Sequence, residues 1–158
     1  MAKVSAGILL YRLDETGGMS VLIAHMGGPF WASKDEGAWS IPKGEVDDDE
    51  SLWDAARREF AEELGVDAPE VDYAELGTFV SSSGKRVVVF VGDGAGFTAS
   101  AFTFGTFEME WPPRSGRTQA FPEVDRAEWM PVEHARPRLV TAQRAALDRL
   151  VELREAAG

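Results

Sequence analysis

The sequence predicts a layered α/β/α domain, and three observations carry that prediction. Short β-branched and aliphatic runs bounded by Gly, Pro, Asp or Ser punctuation recur along the chain. One amphipathic helix follows the third of these runs and a second, longer one closes the chain. Helices therefore flank strands on both sides of the order, and a sheet covered on both faces is the economical way to bury them.

In order, residues 3–13 read as a strand, with Gly7 inside it marking a close backbone approach. Residues 14–18 form a turn and 20–26 a second strand, giving a hairpin. Gly27-Gly28-Pro29 breaks it, 30–37 is a loop, and 38–41 a short strand. A helix runs from 51 to 64, with Ser51 as N-cap, Asp54 three residues on, and Gly65 ending it. Residues 73–80 and 85–91 read as strands joined by a turn at 81–84. A loop spans 92–96, a loosely alternating strand 103–111, an irregular stretch 111–117, and a short strand 127–130. Residues 132–135 form a helical turn. The closing helix spans 141–155, with Ala145, Leu147, Leu150, Val151 and Leu153 as its apolar side.

The chain of 158 residues is long enough for one well-cored domain, 1–158. Its formal charge of −11 argues against nonspecific binding to nucleic acid or an anionic membrane. No cysteine is present, so thiolate metal sites and disulfides are excluded. The N-terminal apolar run is too short for a leader and no stretch approaches a membrane span, so a cytoplasmic protein is expected.

The chemistry concentrates between Gly44 and Val66. An acidic stretch leads into the first helix, which carries Glu59, Glu62 and Glu63. At about 100° per residue, Glu59 and Glu63 lie about 40° apart and Glu62 about 60° to the other side. Like charges this close repel, so a compensating cation is called for. Oxygen-only donors suit a hard divalent ion such as Mg2+, with Mn2+ as the substitute. Trp53, Phe60 and Leu64 fall within roughly 40° of one another and form the apolar face. The acidic run 47–50 lacks the alternating ligands and central glycine of a calcium-binding EF-hand loop.

The typed positions run Gly44, five residues, Glu50, seven residues, Arg58-Glu59, Phe60, one residue, Glu62-Glu63, one residue, Gly65, Val66. This resembles the Nudix box of the Nudix hydrolases, and the lead-in Trp39-Ser40-Ile41-Pro42-Lys43-Gly44 is similar too. Phe60 is the one departure, where the family usually carries an aliphatic residue. The resemblance implies a Nudix-type α/β/α sandwich with a mixed sheet between helices. It also implies Mg2+-dependent cleavage of a diphosphate linkage in a small-molecule nucleotide substrate.

The residue roles follow from that likeness. Glu59, Glu62 and Glu63 are the expected metal ligands, and one of them or a nearby loop acid is the expected base. Arg58 lies about two helical turns on from Glu50 and by that spacing is expected to bridge to it, and the likeness implies that it orients a metal-binding glutamate. Glu123, on a loop before a strand, is the outside candidate for a further ligand or base, with Asp125 the weaker alternative. Lys43 is expected to meet a phosphate through its ammonium or a metal through the Lys43-Gly44 backbone. Arg86, with Lys85, Arg114 and Arg117, is a further phosphate candidate. Trp31 is the aromatic expected to stack on a base, Trp39 a core residue, and His25 and His134 structural.

The lead-in is similar both to MutT-like nucleoside triphosphate pyrophosphohydrolases and to diadenosine polyphosphate hydrolases. Glu45 stands where the latter usually carry His, and Ser82 and Ser83 lie where some of them carry Tyr, so the MutT-like reading is preferred. A non-catalytic nucleotide-binding protein of this fold is the alternative of another class. Against it, every acid of the box is present. Relatives are often dimers, so a homodimer is compatible with the likeness.

Overall fold

The computed structural model describes residues 3–97 and 102–157. Met1 and Ala2, the start of the run read for a leader, lie outside them. Nine strands and three helices form in the order β1 (Val4–Leu13), β2 (Met19–Met26), β3 (Trp39–Ser40), β4 (Lys43–Glu45), α1 (Leu52–Leu64), β5 (Tyr73–Val80), β6 (Arg86–Asp93), β7 (Thr106–Glu110), β8 (Thr118–Pro122), β9 (Val124–Pro131), α2 (Val132–Arg138) and α3 (Thr141–Ala157) among the described residues.

A seven-stranded sheet has the path β3-β2-β1-β6-β5, with β4 also paired to β1 and β9 to β2. β1 and β6 run parallel while the other pairs are antiparallel, so the sheet is mixed, as expected. β7 and β8 form a separate two-stranded ribbon.

Side-chain alternation sorts the core into two layers. Ala6, Ile8 and Leu10 of β1, with Leu22 and Ala24 of β2, pack against Ala55, Ala56, Phe60 and Leu64 of α1. Leu9, Val21 and Ile23 point the other way, toward Ala135 of α2 and Ala146, Leu147 and Leu150 of α3. The helices therefore sandwich the sheet. Burying Phe60 and Leu64 contributes about 2 kcal/mol each.

The first helix is set by its ends. Ser51 Oγ accepts the Asp54 N–H at 3.1 Å, and Gly65 takes φ 73° while its N–H donates to Ala61 O at 2.8 Å. This fixes the rotation of α1 and with it the direction of its acids. At Gly7 the backbone approach is as close as the sequence suggested. A Cβ there would lie 2.6 Å from Pro42 O, across from Lys43 of β4.

Several boundaries differ from the sequence reading. β4 and β8 were not expected, because Lys-Gly-Glu and Thr-Gln-Ala-Phe-Pro carry no clear period. β6 continues to Asp93, β9 begins at Val124, and α2 extends to Arg138. On α3 the inward face is Gln143, Ala146, Leu147 and Leu150, whereas Ala145 and Leu153 are exposed. Buried Gln143 shifts the face, since its Oε1 accepts Ile41 N–H at 2.7 Å and its Nε2 donates to Ser40 Oγ at 3.0 Å. Among the described residues, no helix is long and apolar enough to cross a membrane.

Candidate active site

Three pieces of chain build the site. β4 brings Lys43, Gly44 and Glu45 beside β1, α1 lays Glu59 and Glu63 across them, and the bend between β8 and β9 adds Glu123. Together with Met26, Ser40 and Val124 they line a cavity of about 430 Å³. Lys43, Gly44 and Glu59 come together only because β4 pairs with β1 under α1.

Arg58 is the organising cation. Its Nε donates to Glu50 Oε2 at 2.8 Å, and one terminal nitrogen donates to Glu50 Oε1 at 2.9 Å and Glu45 O at 3.0 Å. The other donates to Glu59 Oε1 at 2.9 Å and Glu62 Oε2 at 3.1 Å. The expected Arg58–Glu50 bridge is therefore present and bidentate. It holds the Glu50 carboxyl below its ordinary range. Glu59 is driven the opposite way. Burial raises its pKa first, Arg58 opposes that, and Glu62 and Glu123 add repulsion.

Glu63 is half-buried and accepts the Lys43 backbone N–H at 3.2 Å. Burial pushes its carboxyl up to about 8; Lys43 pulls down, and Glu123 and Glu59 push up again. Carboxylates that raise one another in this way are stabilised by a shared cation.

The donor chemistry fits a hard divalent ion: Glu59, Glu63 and Glu123 bring carboxylate oxygens to one cavity, where the Met26 thioether is the single soft atom among the lining side chains and the Lys43 ammonium is a cation, not a ligand. Among the described residues, however, no three His, Cys, Asp or Glu side chains already stand in an ion-holding arrangement. Arg58 engages Glu59 and Glu62, and the Lys43 amide engages Glu63. Of the three helix acids, Glu62 is the outlier. It is 57% exposed, rests on Arg58, and does not line the cavity.

The remaining candidates separate clearly. Asp125 turns to His25, 2.7 Å from Nδ1, and not to the cavity. His25 is fully buried, with Nε2 also 2.6 Å from Lys34 O. His134 is exposed. Trp39 is core, its Nε1 donating to Asp35 at 2.9 Å. Arg86 is exposed at the start of β6 and lines neither the acidic cavity nor its neighbour. Lys85 shares a small separate cavity with Lys43. Arg114 and Arg117 lie between β7 and β8, outside both cavities.

Trp31 lines a second, apolar cavity of about 440 Å³ that shares Met26 and Glu123 with the acidic one. Its far wall contains Phe107 and Met109, which sequence reasoning did not single out. The signal was present in the loose alternation of 103–111, where both residues fall on one face of the strand.

Comparison with known proteins agrees with this geometry. A family model described as NUDIX domain matches residues 1–150. The chain is 29% identical over 127 residues to Nudix hydrolase 5 of Arabidopsis thaliana, covering 80% of this chain but only 36% of that protein's length. Among solved structures, an Ap4A hydrolase binary complex from C. elegans superposes with a TM-score of 0.62 at 21% identity, covering 98% of this chain and 99% of that one. The NUDIX domain of Shewanella oneidensis NrtR complexed with ADP ribose gives 0.63 at 17% identity, covering 96% and 88%. At these identities the likeness is one of fold.

Proposed function

This chain belongs to the Nudix family, and from that premise we propose that it hydrolyses a phosphoanhydride bond in a nucleoside diphosphate derivative, as a nucleoside triphosphate pyrophosphohydrolase. The observation that carries the reading is Glu59, Glu63 and Glu123 facing one cavity beside Lys43, with Arg58 fixing the helix acids from behind.

Glu59, Glu62 and Glu63 are the proposed holders of Mg2+ or Mn2+, with Glu123 a further donor. When bound, the ion would neutralise phosphate oxygens and acidify water. Arg58 acts at one remove: bound to Glu50 on one side and to Glu59 and Glu62 on the other, it limits the rotamers of the acids. The Lys43 ammonium compensates phosphate charge that a chain of net charge −11 would otherwise repel. Glu123, a cavity carboxylate that neither Arg58 nor the Lys43 amide engages, is the proposed acceptor of the water proton. A cytoplasmic setting and a homodimer belong to the same reading.

A dinucleoside polyphosphate, the substrate class named for the C. elegans hydrolase of like fold, is the alternative, and it is disfavoured by Glu45, which stands where such hydrolases usually carry His. Release of orthophosphate or pyrophosphate from a nucleotide panel with Mg2+ tests the proposal. Glu62→Gln and Glu63→Gln are each expected to lower turnover by orders of magnitude in folded protein. Failure of the wild type to consume any nucleotide, or wild-type turnover in both variants, overturns it.

A further inference from the structure

The apolar cavity beside the acids has a shape and chemistry of its own. One wall is the segment from Gly27 to Trp31 and the other is the face of β7 that carries Phe107 and Met109. The walls are tied together. Gly27 N donates to Glu123 O at 3.0 Å, and Glu123 N donates to Gly105 O at 2.8 Å. The Phe107 ring reaches the opposite wall so closely that a Cβ on Gly28 would lie 3.0 Å from it. Phe107 is in turn backed by Phe121 of β8, with ring centroids 6.1 Å apart. Phe30 is 57% exposed at this cavity, with its ring edge-on to Trp111 at 5.7 Å.

The walls are aromatic and apolar, the chemistry on which the face of a nucleobase stacks. The lining side chains offer hydrogen bonds only through the Trp31 indole N–H and the Glu123 carboxylate, and Glu123 also faces the acidic cavity. The two cavities adjoin, sharing Met26 and Glu123 in their linings. A ligand with its diphosphate beside Glu59 and Glu63 would carry its nucleoside end toward Phe107.

We propose that the slot between Trp31 and Phe107–Met109 takes the nucleobase of the substrate and selects it by stacking area, so that the enzyme accepts adenine and guanine nucleotides alike and binds pyrimidine nucleotides more weakly. This rests on the hydrolase reading above and adds Phe107 and Met109 as specificity-determining residues. Stacking is tolerant of base identity because every base presents a π-face. Strong discrimination between adenine and guanine requires matched polar groups, and this lining supplies few.

The test is calorimetric titration of the whole chain with the non-hydrolysable α,β-methylene analogues of ADP, GDP and CDP, and with ribose 5-phosphate, all with Mg2+. The ADP and GDP analogues are expected to bind within about tenfold of each other, the CDP analogue more weakly, and ribose 5-phosphate weakest. Phe107→Ala should weaken the purine analogues at least tenfold and Phe107→Tyr should restore them, with unfolding followed by circular dichroism to confirm both variants are folded. Wild-type affinity in Phe107→Ala, equal weakness in Phe107→Tyr, or more than tenfold preference between the ADP and GDP analogues overturns the slot. Because the analogues are not cleaved, the two proposals fail separately. Phe107-dependent binding with no hydrolysis of any nucleotide sinks the hydrolase alone. Hydrolysis with Phe107-independent binding sinks the slot alone.

Discussion

The Glu59 carboxylate fills the space in which a side chain on residue 44 would begin, so that a Cβ built on Gly44 overlaps it. Gly44 cannot retreat, because β4 is registered on β1 with Gly44 opposite Ala6. Gly44→Ala is therefore expected to displace the Glu59 carboxylate and leave both core layers intact. A misplacement on the order of 1 Å costs about 100-fold in rate. The expected result is a loss of that size in kcat/KM with the melting temperature nearly unchanged. Wild-type kcat/KM would show that the Glu59 position is not critical.

Arg58 makes a stronger demand than charge. Its guanidinium engages Glu50 through two nitrogens while reaching Glu59, Glu62 and the Glu45 carbonyl. A lysine ammonium is a single point and cannot span that set. Arg58→Lys should weaken Mg2+ activation about 10- to 100-fold, the usual cost of losing an outer-shell partner. Mn2+ titration gives the same comparison without turnover. If lysine keeps wild-type metal affinity, the fork geometry is irrelevant and only the positive charge counts.

What was legible in the sequence follows the range of the interactions. α1, its Ser51 cap, its Gly65 stop and the strand Tyr73–Val80 rest on neighbours in sequence, and all form where local pattern placed them. Arg58–Glu50 spans eight positions, and helical spacing was enough to suggest it. The pairing of Lys43–Glu45 with β1 and the sharing of one cavity by Glu123 and Glu63 come from folding alone. Local periodicity carries no information on which distant strand becomes a neighbour. For the same reason the helical wheel grouped Glu62 with Glu59 and Glu63, whereas the fold covers only the latter two and leaves Glu62 on Arg58.

Glu63 makes the ion-free protein sensitive to pH. Its ordinary carboxyl value is 4.5, and in the fold, chiefly through burial, it rises to about 8. Between those values the folded state holds a proton that the unfolded chain has released. The contribution is thus fully present below 4.5 and is lost as pH rises through 8. In EDTA, stability measured by urea unfolding should fall between pH 5 and pH 8, and Glu63→Gln should flatten that dependence. Mg2+ binding at pH 7 should also release a proton, visible as a buffer-dependent heat. An identical pH slope in Glu63→Gln would assign the effect to another group.

His25 supplies the last prediction. Both ring nitrogens face acceptors, Lys34 O at 2.6 Å and Asp125 Oδ1 at 2.7 Å, and the ring stands edge-on to Trp39 at 5.1 Å. The imidazole therefore ties β2 to the turn before β3 and to β9, two residues from Glu123. His25→Ala would leave a buried void and two unpaired acceptors, at a cost of about 2–4 kcal/mol. Asp125→Asn keeps an acceptor oxygen for the ring and should cost less, about 1 kcal/mol. Because the two side chains are partners, the double variant should be less destabilised than the sum of the singles, by about 1 kcal/mol or more. Urea unfolding of the four proteins measures that coupling directly. Strict additivity would mean that the contact contributes nothing to the anchoring of the Glu123 bend.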